Sequence, residues 1–358
     1  MEPSYNSAQW LHLIDRPAFC VRDGKILHVN QAARQLFIEP DTDVAPLLVT
    51  GAREYAQYAG GTLYLAIQAA GAVHDAMVAQ VEGLDVFYLD QSAADAGLRA
   101  LALSSLALRE PLTDILNASH ALFSDTAILD AAENREYALQ INRSLSQLMR
   151  LVVNMSDAER YAQNSPRLET RNIVSLIGEI LEKAQRLVSQ AGFTLRFRNL
   201  EHAVYTLVDE ERLERAIYNM LSNAIKFSSP GSTITAELTK TDYLVSFTLQ
   251  DSGAGVPEDL RGSLFSRFLR QSSLADDSRS GIGLGLALVR SAAAAHGGTV
   301  LLDHPEGQGL RIRLTVSRRL NPDAALHNKL RLPDYTGGMD HGLVELSEVL
   351  PASLYQNI

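Results

Sequence analysis

The pattern of apolar and polar positions divides this chain of 358 residues into segments with different periodicities. Between residues 167 and 318, short alternating runs predict β-strands, and runs with apolar residues three or four positions apart predict α-helices. The predicted strands are 194–198, 203–208, 233–238, 244–250, 299–302 and 310–316, and the predicted helices are 173–189, 209–227 and 286–295. This mixture predicts an α/β sandwich, in which helices cover one face of a mixed sheet.

Residues 91–166 have helical spacing almost throughout, with a break near residues 124–126. Two amphipathic helices with a short connection predict an antiparallel hairpin. Because each hairpin leaves an apolar stripe exposed, we expect two copies to pair as a four-helix bundle in a homodimer. A coiled-coil linker without chemistry is the alternative. The apolar series are Leu98, Leu101, Leu108, Leu112, Ile115 and Leu122, then Ala138, Ile141, Leu145, Leu148, Val152 and Met155.

Residues 1–90 predict a small α+β domain. Two β-like runs flank Asp23-Gly24, a dipeptide typical of a two-residue hairpin turn. A helix is predicted over 31–37, and the remaining strands within 63–70 and 76–89. Such a domain either holds a ligand or binds none, and the pattern leaves both open.

Residues 319–358 follow the sandwich. Pro322, Pro333 and the Gly337-Gly338 pair predict an extended path, and the apolar run at 343–350 predicts a short helix or strand. The segment fits either a docking tail or a packing arm.

Composition and charge exclude several kinds of binding site and partner. The net charge is −10 and no basic block stands out, so we expect no nucleic-acid partner. Cys20 is the only cysteine, which excludes an intrachain disulfide and a cysteine-rich zinc site. No apolar run reaches the roughly 18 residues of a membrane span, and the N-terminus lacks the pattern of a signal peptide. We therefore expect a cytoplasmic protein without a membrane span.

Two glycine-rich loops carry the candidate chemistry. The first, Asp251-Ser252-Gly253-Ala254-Gly255, follows a predicted strand, and its carboxylate can accept a hydrogen bond from an exocyclic amine where glycines let a ligand approach. The second, Gly281-Ile282-Gly283-Leu284-Gly285-Leu286, opens a predicted helix, whose backbone N–H groups and dipole favour a phosphate. On an upstream helix, Asn219 and Asn223 are four residues apart and share a face.

The asparagine helix, the first glycine loop, the block Leu264–Arg270 and the second glycine loop occur in the order of the nucleotide site of the GHKL superfamily. The chain resembles the sensor histidine kinase form of that superfamily, which implies ATP and Mg²⁺ as ligands. The resemblance assigns nucleotide binding to Asn219, Asn223, Lys226, Asp251, Gly253, Gly255, Phe265, Arg267, Phe268, Arg270, Arg279, Gly281, Gly283, Leu284, Gly285 and Leu286. Ordinary loop glycines and solvated asparagines are the structural alternative.

The resemblance also implies individual roles. Asp251 would recognise the adenine. Asn219 and Asn223 would meet Mg²⁺ and the phosphates, with Asn223 as the metal ligand, and Lys226 would add positive charge. Superfamily members that hydrolyse ATP carry Glu at the position of Asn219, and Asn cannot act as a general base. The site therefore favours a phosphotransferase or a nucleotide switch over an ATPase.

The N-terminal part extends the resemblance. Strand, turn, strand and then the series Asn30, Ala32, Leu36 and Phe37 resemble the opening of a PAS sensor domain. The helix hairpin resembles the dimerisation and phosphoacceptor domain of histidine kinases. We therefore expect a multidomain α+β protein. Its parts are a PAS-like domain at 1–90, a helix hairpin at 91–166, a histidine kinase-type ATP-binding α/β sandwich at 167–318 and a tail at 319–358.

The phosphoacceptor block of the hairpin departs from the family. Its Ser-His-Glu-Leu-Arg-Thr-Pro-Leu sequence aligns with residues 105–112, where Arg109 and Pro111 fix the register. Leu106 stands at the histidine position and Ala107 at the acid position, so nucleophile and base are both missing. His120, two heptads further on, is followed by alanine, which favours a surface or packing role.

Two function classes remain open. One is a kinase that phosphorylates another residue, or a residue of a partner such as a response regulator or another kinase. The other is a regulatory pseudokinase or scaffold of a two-component phosphorelay, which acts through dimerisation and ATP occupancy. A slow ATPase is disfavoured by Asn219.

Overall fold

The structure is a computed structural model that describes residues 10–11, 14, 16–81, 83–89, 114–115, 131–163, 165–200, 202–253, 284–305, 309–319, 335–336 and 338–355. Within these ranges the chain is a mixed α/β protein. None of the helices in the described ranges combines the length and the apolar character needed to span a membrane.

The N-terminal elements form an antiparallel group of strands in the order β2-β1-β5-β4-β3. They are β1 (Ala18–Arg22), β2 (Lys25–Val29), α1 (Gln31–Arg34), α2 (Ala52–Ala56), β3 (Thr62–Ala69), β4 (Ala72–Val81) and β5 (Leu84–Leu89). The hairpin predicted at Asp23-Gly24 is confirmed, because both residues have positive φ, 51° and 77°, and β1 pairs with β2. The helix predicted over 31–37 ends early at Arg34, and Phe37 has a left-handed φ of 58°.

The second predicted hairpin helix is confirmed as α3 (Ala131–Gln163). Of the first, only residues 114–115 are described, and they are helical. The rest of that helix lies outside the described residues, together with Leu106, Ala107 and His120. On α3, Leu145 and Val152 of the predicted stripe are 45% and 54% exposed. The helix therefore keeps apolar side chains at its surface.

The predicted sandwich is present, and its elements match the predictions to within a few residues, apart from the strand at Glu169–Asn172, which the sequence pattern does not predict. They are β6 (Glu169–Asn172), α4 (Ile173–Gln190), β7 (Thr194–Arg198), β8 (Tyr205–Val208), α5 (Glu210–Phe227), β9 (Thr233–Lys240), β10 (Leu244–Gln250), α6 (Leu284–Ala295), β11 (Val300–Asp303) and β12 (Arg311–Ser317). Helices α4, α5 and α6 share one apolar core with strands β9 to β12. Asn172 and Asp209 cap α4 and α5, and Gly297 follows α6 with a φ of 66°.

Strand β3 joins the two groups into one ten-stranded sheet, in the order β2-β1-β5-β4-β3-β11-β12-β10-β9-β7. β3 pairs antiparallel with β11, with Tyr64 opposite Val300. Tyr64 and Met77, from the N-terminal strands, are buried in the same core as α5 and α6. The local sequence pattern does not predict this joint, because pairing between distant strands leaves no periodic signal.

Residues 338–355, the longest described stretch of the tail, pack against the rest of the molecule, and we call them the C-terminal arm. It contains α7 (His341–Glu345) and a 3₁₀ turn at Ala352–Leu354. Both elements contact α3, and α7 also contacts α4 and α5. Four of its apolar side chains are almost completely buried: Val344, Leu346, Leu350 and Tyr355. Of the two alternatives for the tail, the packing arm is the one observed in this range.

Candidate nucleotide-binding site

Helix α5 positions the three polar residues of the asparagine motif. The Asp209 carboxylate accepts a hydrogen bond from the Arg212 backbone N–H at 3.1 Å, which caps the first turn and fixes where the helix begins. Ten residues after the cap, Asn219 is 1% exposed. Asn223 and Lys226 follow at one-turn intervals on the same side and are half-buried. The three side chains therefore form one polar edge on a largely buried helix.

The first glycine loop lies against the C-terminal end of α5. Asp251 Oδ1 accepts hydrogen bonds from the backbone N–H groups of Gly253 at 2.9 Å and Leu310 at 3.0 Å. Burial raises the pKa of the Asp251 carboxyl above its ordinary value, and these two bonds oppose the shift. A Cβ at Gly253 would lie 2.4 Å from the carbonyl oxygen of Phe227, so only glycine fits this close approach.

Gly285, the last glycine of the second loop, contacts the same helix. Gly285, in the first turn of α6, lies so close to Asn219 that a Cβ there would be 2.7 Å from the Asn219 Oδ1 atom. At the other end of α6, buried His296 accepts a hydrogen bond at Nε2 from the Asp209 backbone N–H at 2.9 Å. Burial lowers the pKa of His296, which matches a neutral ring in this role. Helices α5 and α6 are therefore fixed to each other at both ends.

Three of the sequence motifs thus converge. The two glycine motifs meet helix α5 at two points: Gly285 lies against Asn219, in the middle of the helix, and Gly253 lies against Phe227 at its C-terminal end, with Asn223 and Lys226 between them in the sequence. Leu286 is 9% exposed and belongs to the core. The side chain of Leu284 is not described, and the other predicted site residues lie outside the described residues: Gly255, Phe265, Arg267, Phe268, Arg270, Arg279, Gly281 and Gly283.

A positively charged side chain from α3, which the sequence analysis did not single out, also reaches this edge. Arg150 Nη2 donates a hydrogen bond to Asn219 Oδ1 at 3.1 Å. The same guanidinium is 3.3 Å from Glu348 of the C-terminal arm, measured from Nη1 to Oε1. Glu348 Oε2 is in turn 3.7 Å from Lys226 Nζ. Burial alone would raise the pKa of Glu348, but the charges of Arg150 and Lys226 outweigh it and hold the pKa below its usual value.

A second carboxylate of the arm lies deeper. Glu345 is 1% exposed and accepts a hydrogen bond from Arg215 Nε at 2.9 Å, and its other oxygen is 3.6 Å from Arg150 Nε. In the sequence, these acids are ordinary members of a tail and Arg150 is one of many helix charges. A single chain gives no signal that they pair across such distances.

The side chains present fit a nucleotide with its magnesium ion. Mg²⁺ prefers oxygen ligands and is commonly held by one or two protein groups together with phosphate oxygens, which suits the Asn219 and Asn223 amides. Among the described residues no group of three or more His, Cys, Asp or Glu could hold a metal alone. The lysine supplies a point charge for phosphate, and the buried carboxylate of Asp251 supplies an acceptor for an amine.

Comparisons with known proteins show what the residues around this site are similar to. Residues 208–320 match the family model described as histidine kinase-, DNA gyrase B-, and HSP90-like ATPase. Sensor protein KdpD of Clostridium acetobutylicum is 28% identical over 227 residues, which cover 62% of this chain and 25% of that protein. The adaptive-response sensory kinase SasA of Synechococcus elongatus is 28% identical over 254 residues, which cover 64% of this chain and 63% of that protein.

Among solved structures, histidine kinase ThkA in complex with response regulator protein TrrA is similar at 15% identity and a TM-score of 0.44, covering 88% of this chain and 99% of that one. The chain spans less than two thirds of the length of the two curated relatives. The range matched by the family model includes the asparagine helix and both glycine loops. Residues 208–320 therefore carry a histidine kinase-type ATPase domain, and the chain is similar to sensor histidine kinases.

Proposed function

We propose that this chain is a histidine kinase-type signalling protein that binds Mg-ATP in its ATPase domain and does not autophosphorylate on a histidine. The contacts of both glycine motifs with α5 support the proposal: Gly285 lies against Asn219, and the loop of Asp251 and Gly253 lies against Phe227. These residues come from three separate sequence motifs, and unrelated loop residues would have no reason to meet.

Each residue contributes a different interaction. The Asp251 carboxylate accepts a hydrogen bond from the adenine amine, in a loop whose glycines admit the base. The amide oxygens of Asn219 and Asn223 would hold Mg²⁺, and the Lys226 ammonium would neutralise phosphate charge. When bound, ATP supplies the phosphoryl group for any transfer. Asn219 cannot activate water as a glutamate does, so the site holds the nucleotide rather than hydrolysing it.

The missing acceptor decides between the function classes. Phosphoryl transfer needs a nucleophile in line with the γ-phosphate, and Leu106 and Ala107 provide neither acceptor nor base. We therefore favour a regulatory protein whose ATP occupancy is the signal. A kinase acting on a residue of a partner, such as a response regulator, is the second candidate.

The remaining parts suit such a role. The five-stranded N-terminal group, which resembles a PAS domain in its opening sequence, is the proposed sensor domain at 1–90. The exposed Leu145 and Val152, one heptad apart on α3, support pairing of two chains through the 91–166 segment.

Calorimetric titration of the full chain with Mg-ATP tests nucleotide binding. Asp251→Asn keeps an oxygen for the two backbone donors but replaces the other carboxylate oxygen with an amide that donates. We expect a loss of about 1–3 kcal/mol, or about 5- to 150-fold in affinity. Asp242→Asn, in an exposed turn, is the matched control and should bind like the wild type.

Two results would contradict the proposal. The first is the absence of Mg-ATP binding in both the wild type and Glu348→Gln, a variant in which the C-terminal arm is held less tightly. This result would contradict the proposed nucleotide binding. An acid-labile phosphate on the wild type after incubation with labelled ATP would remove the regulatory interpretation, and its loss in His120→Ala would identify His120 as the acceptor. Label on an added response regulator, without label on this chain, would favour the second candidate.

A further inference from the structure

The face formed by α3 and α5 beside the asparagine motif is a cationic surface, made of Arg143, Arg150, Arg215 and Lys226. In the structure the C-terminal arm covers this surface, and its Glu345 and Glu348 side chains form ion pairs with it. Arg143 also donates from Nε to the Ser347 carbonyl and from Nη2 to the Glu348 carbonyl, both at 3.2 Å. The arm is therefore held by its backbone as well as by its acids.

Apolar contacts anchor the arm on both sides of these acids. Leu346 and Tyr355 are 0% exposed, and the Tyr355 hydroxyl donates to the Leu343 carbonyl at 2.9 Å. Asn142 of α3 donates to the Tyr355 carbonyl at 3.0 Å. The arm is thus a specifically bound segment of the chain, and Glu348 lies between its two anchored ends.

We propose that the C-terminal arm and Mg-ATP compete for the asparagine edge of α5, with Glu348 taking the place of a phosphate oxyanion at Lys226. The proposal rests on the nucleotide binding proposed above. The competing segment is the arm of the same chain, residues 338–355, because its acidic side chains and its backbone contact the cationic surface and its apolar side chains are buried beside it.

Two contacts make the arm-bound state and the nucleotide-bound state mutually exclusive. The Glu348 carboxylate, 3.7 Å from Lys226 Nζ, uses the charge that would attract phosphate. The Arg150 guanidinium, held by Glu345 and Glu348, donates to Asn219 Oδ1. A divalent cation at that same oxygen would face a positive charge at close range, and like charges repel strongly in a buried setting. Arg150 must therefore move before Mg²⁺ can use Asn219.

The competition is reciprocal. If the bound arm lowers the affinity for nucleotide by a given factor, the nucleotide lowers the affinity for the arm by the same factor. ATP binding would then release Glu348 and free Arg150 and Arg143 of α3. Nucleotide binding would in this way change the contacts of α3, the helix of the proposed dimer, without a phosphoryl transfer.

Titration with a fluorescent N-methylanthraniloyl derivative of ATP and Mg²⁺ tests the competition in the full chain. Glu348→Gln keeps the shape of the side chain, which is 34% exposed, and removes its charge. We expect this variant to bind at least about 5-fold more tightly than the wild type. Glu39→Gln, an exposed glutamate of the N-terminal strand group, removes the same charge elsewhere and should bind like the wild type.

Hydrogen exchange gives a second readout that does not depend on activity. Backbone amides within 341–355 should exchange faster when Mg-ATP is added to the wild type, while those of β4 should not change. Equal affinity of Glu348→Gln and wild type, or unchanged exchange of the arm in a chain that binds nucleotide, would overturn the competition and leave nucleotide binding intact. No binding by either protein would instead contradict the proposed function and the competition with it.

Discussion

Among the described residues, the ATPase domain contacts the rest of the chain on two sides, and the two contacts are built differently. On one side, β11 pairs with β3 through backbone hydrogen bonds, and Tyr64 and Met77 enter the common core. On the other side, α5 meets α3 and the C-terminal arm through arginine and glutamate side chains in addition to the buried apolar side chains of the arm. The first contact is a continuation of a sheet, and the second contains a buried network of ion pairs.

This difference suits different purposes. Strand pairing and apolar burial do not titrate and respond weakly to salt, so the β3–β11 joint holds the N-terminal group in a fixed register. Buried ion pairs are costly to desolvate and seldom add net stability compared with apolar residues. A charged network is therefore a poor choice for a permanent joint and a reasonable one for a contact that exchanges with a charged ligand. It also lies directly at Asn219 and Lys226, where the nucleotide is proposed to bind.

The largest effect is expected in the charged contact. Arg215→Met leaves the Glu345 carboxylate, 1% exposed, with Arg150 at 3.6 Å as its remaining ion-pair partner among the described residues. Breaking a buried pair from one side typically costs about 3–5 kcal/mol, and urea unfolding measures that loss. The matched control is Arg198→Met, whose pair with Glu237 has side chains 82% and 40% exposed and should cost less than about 1 kcal/mol. Similar losses of unfolding free energy for both variants would mean that the buried network contributes no more to stability than an exposed ion pair.

An intermediate effect is expected in the sheet joint. Gly61 has a φ of 86°, and a Cβ there would lie 2.5 Å from the Leu302 carbonyl oxygen. Gly71 has a φ of 78° with nothing within 4 Å of the same point. Alanine at either position costs about 1–2 kcal/mol of left-handed strain, and at Gly61 overpacking against β11 adds about 1–3 kcal/mol. The difference between the unfolding free energies of Gly61→Ala and Gly71→Ala, measured with urea, therefore reports the contribution of the β3–β11 pairing. Equal losses of unfolding free energy would show that β3 and β11 separate freely.

The sequence could predict the elements but not these contacts. The start of helix α5 near residue 209, the turn at Asp23-Gly24 and strand β10 are encoded within a few neighbouring residues, and the sequence predicts each near its observed position. The meeting of Asn219 with Gly285 was implied by a family resemblance and not by spacing. Arg150 with Glu348, and Tyr64 with Val300, are partners far apart in the chain. Any arginine can pair with any glutamate, so only the fold selects the pair.

The smallest effect is expected from the ion pair that lies within the sheet joint itself. Arg290 of α6 has its Nη2 atom 3.6 Å from Asp75 Oδ2, and the Asp75 side chain is 61% exposed. The same guanidinium lies over the Tyr64 ring at 4.6 Å, a contact that does not depend on Asp75. Asp75→Asn should therefore cost less than about 1 kcal/mol in urea unfolding.

Added salt sharpens this last measurement. Raising NaCl to about 1 M shortens the screening length to roughly 3 Å, so the difference between Asp75→Asn and wild type should vanish. Asp242→Asn, exposed in the β9–β10 turn, is the control for removing one surface carboxylate. A loss for Asp75→Asn as large as that of Gly61→Ala would mean that charge and not strand pairing holds the N-terminal group to the ATPase domain. Both contacts would then respond to salt together, and the division between a fixed joint and an exchangeable one would fail.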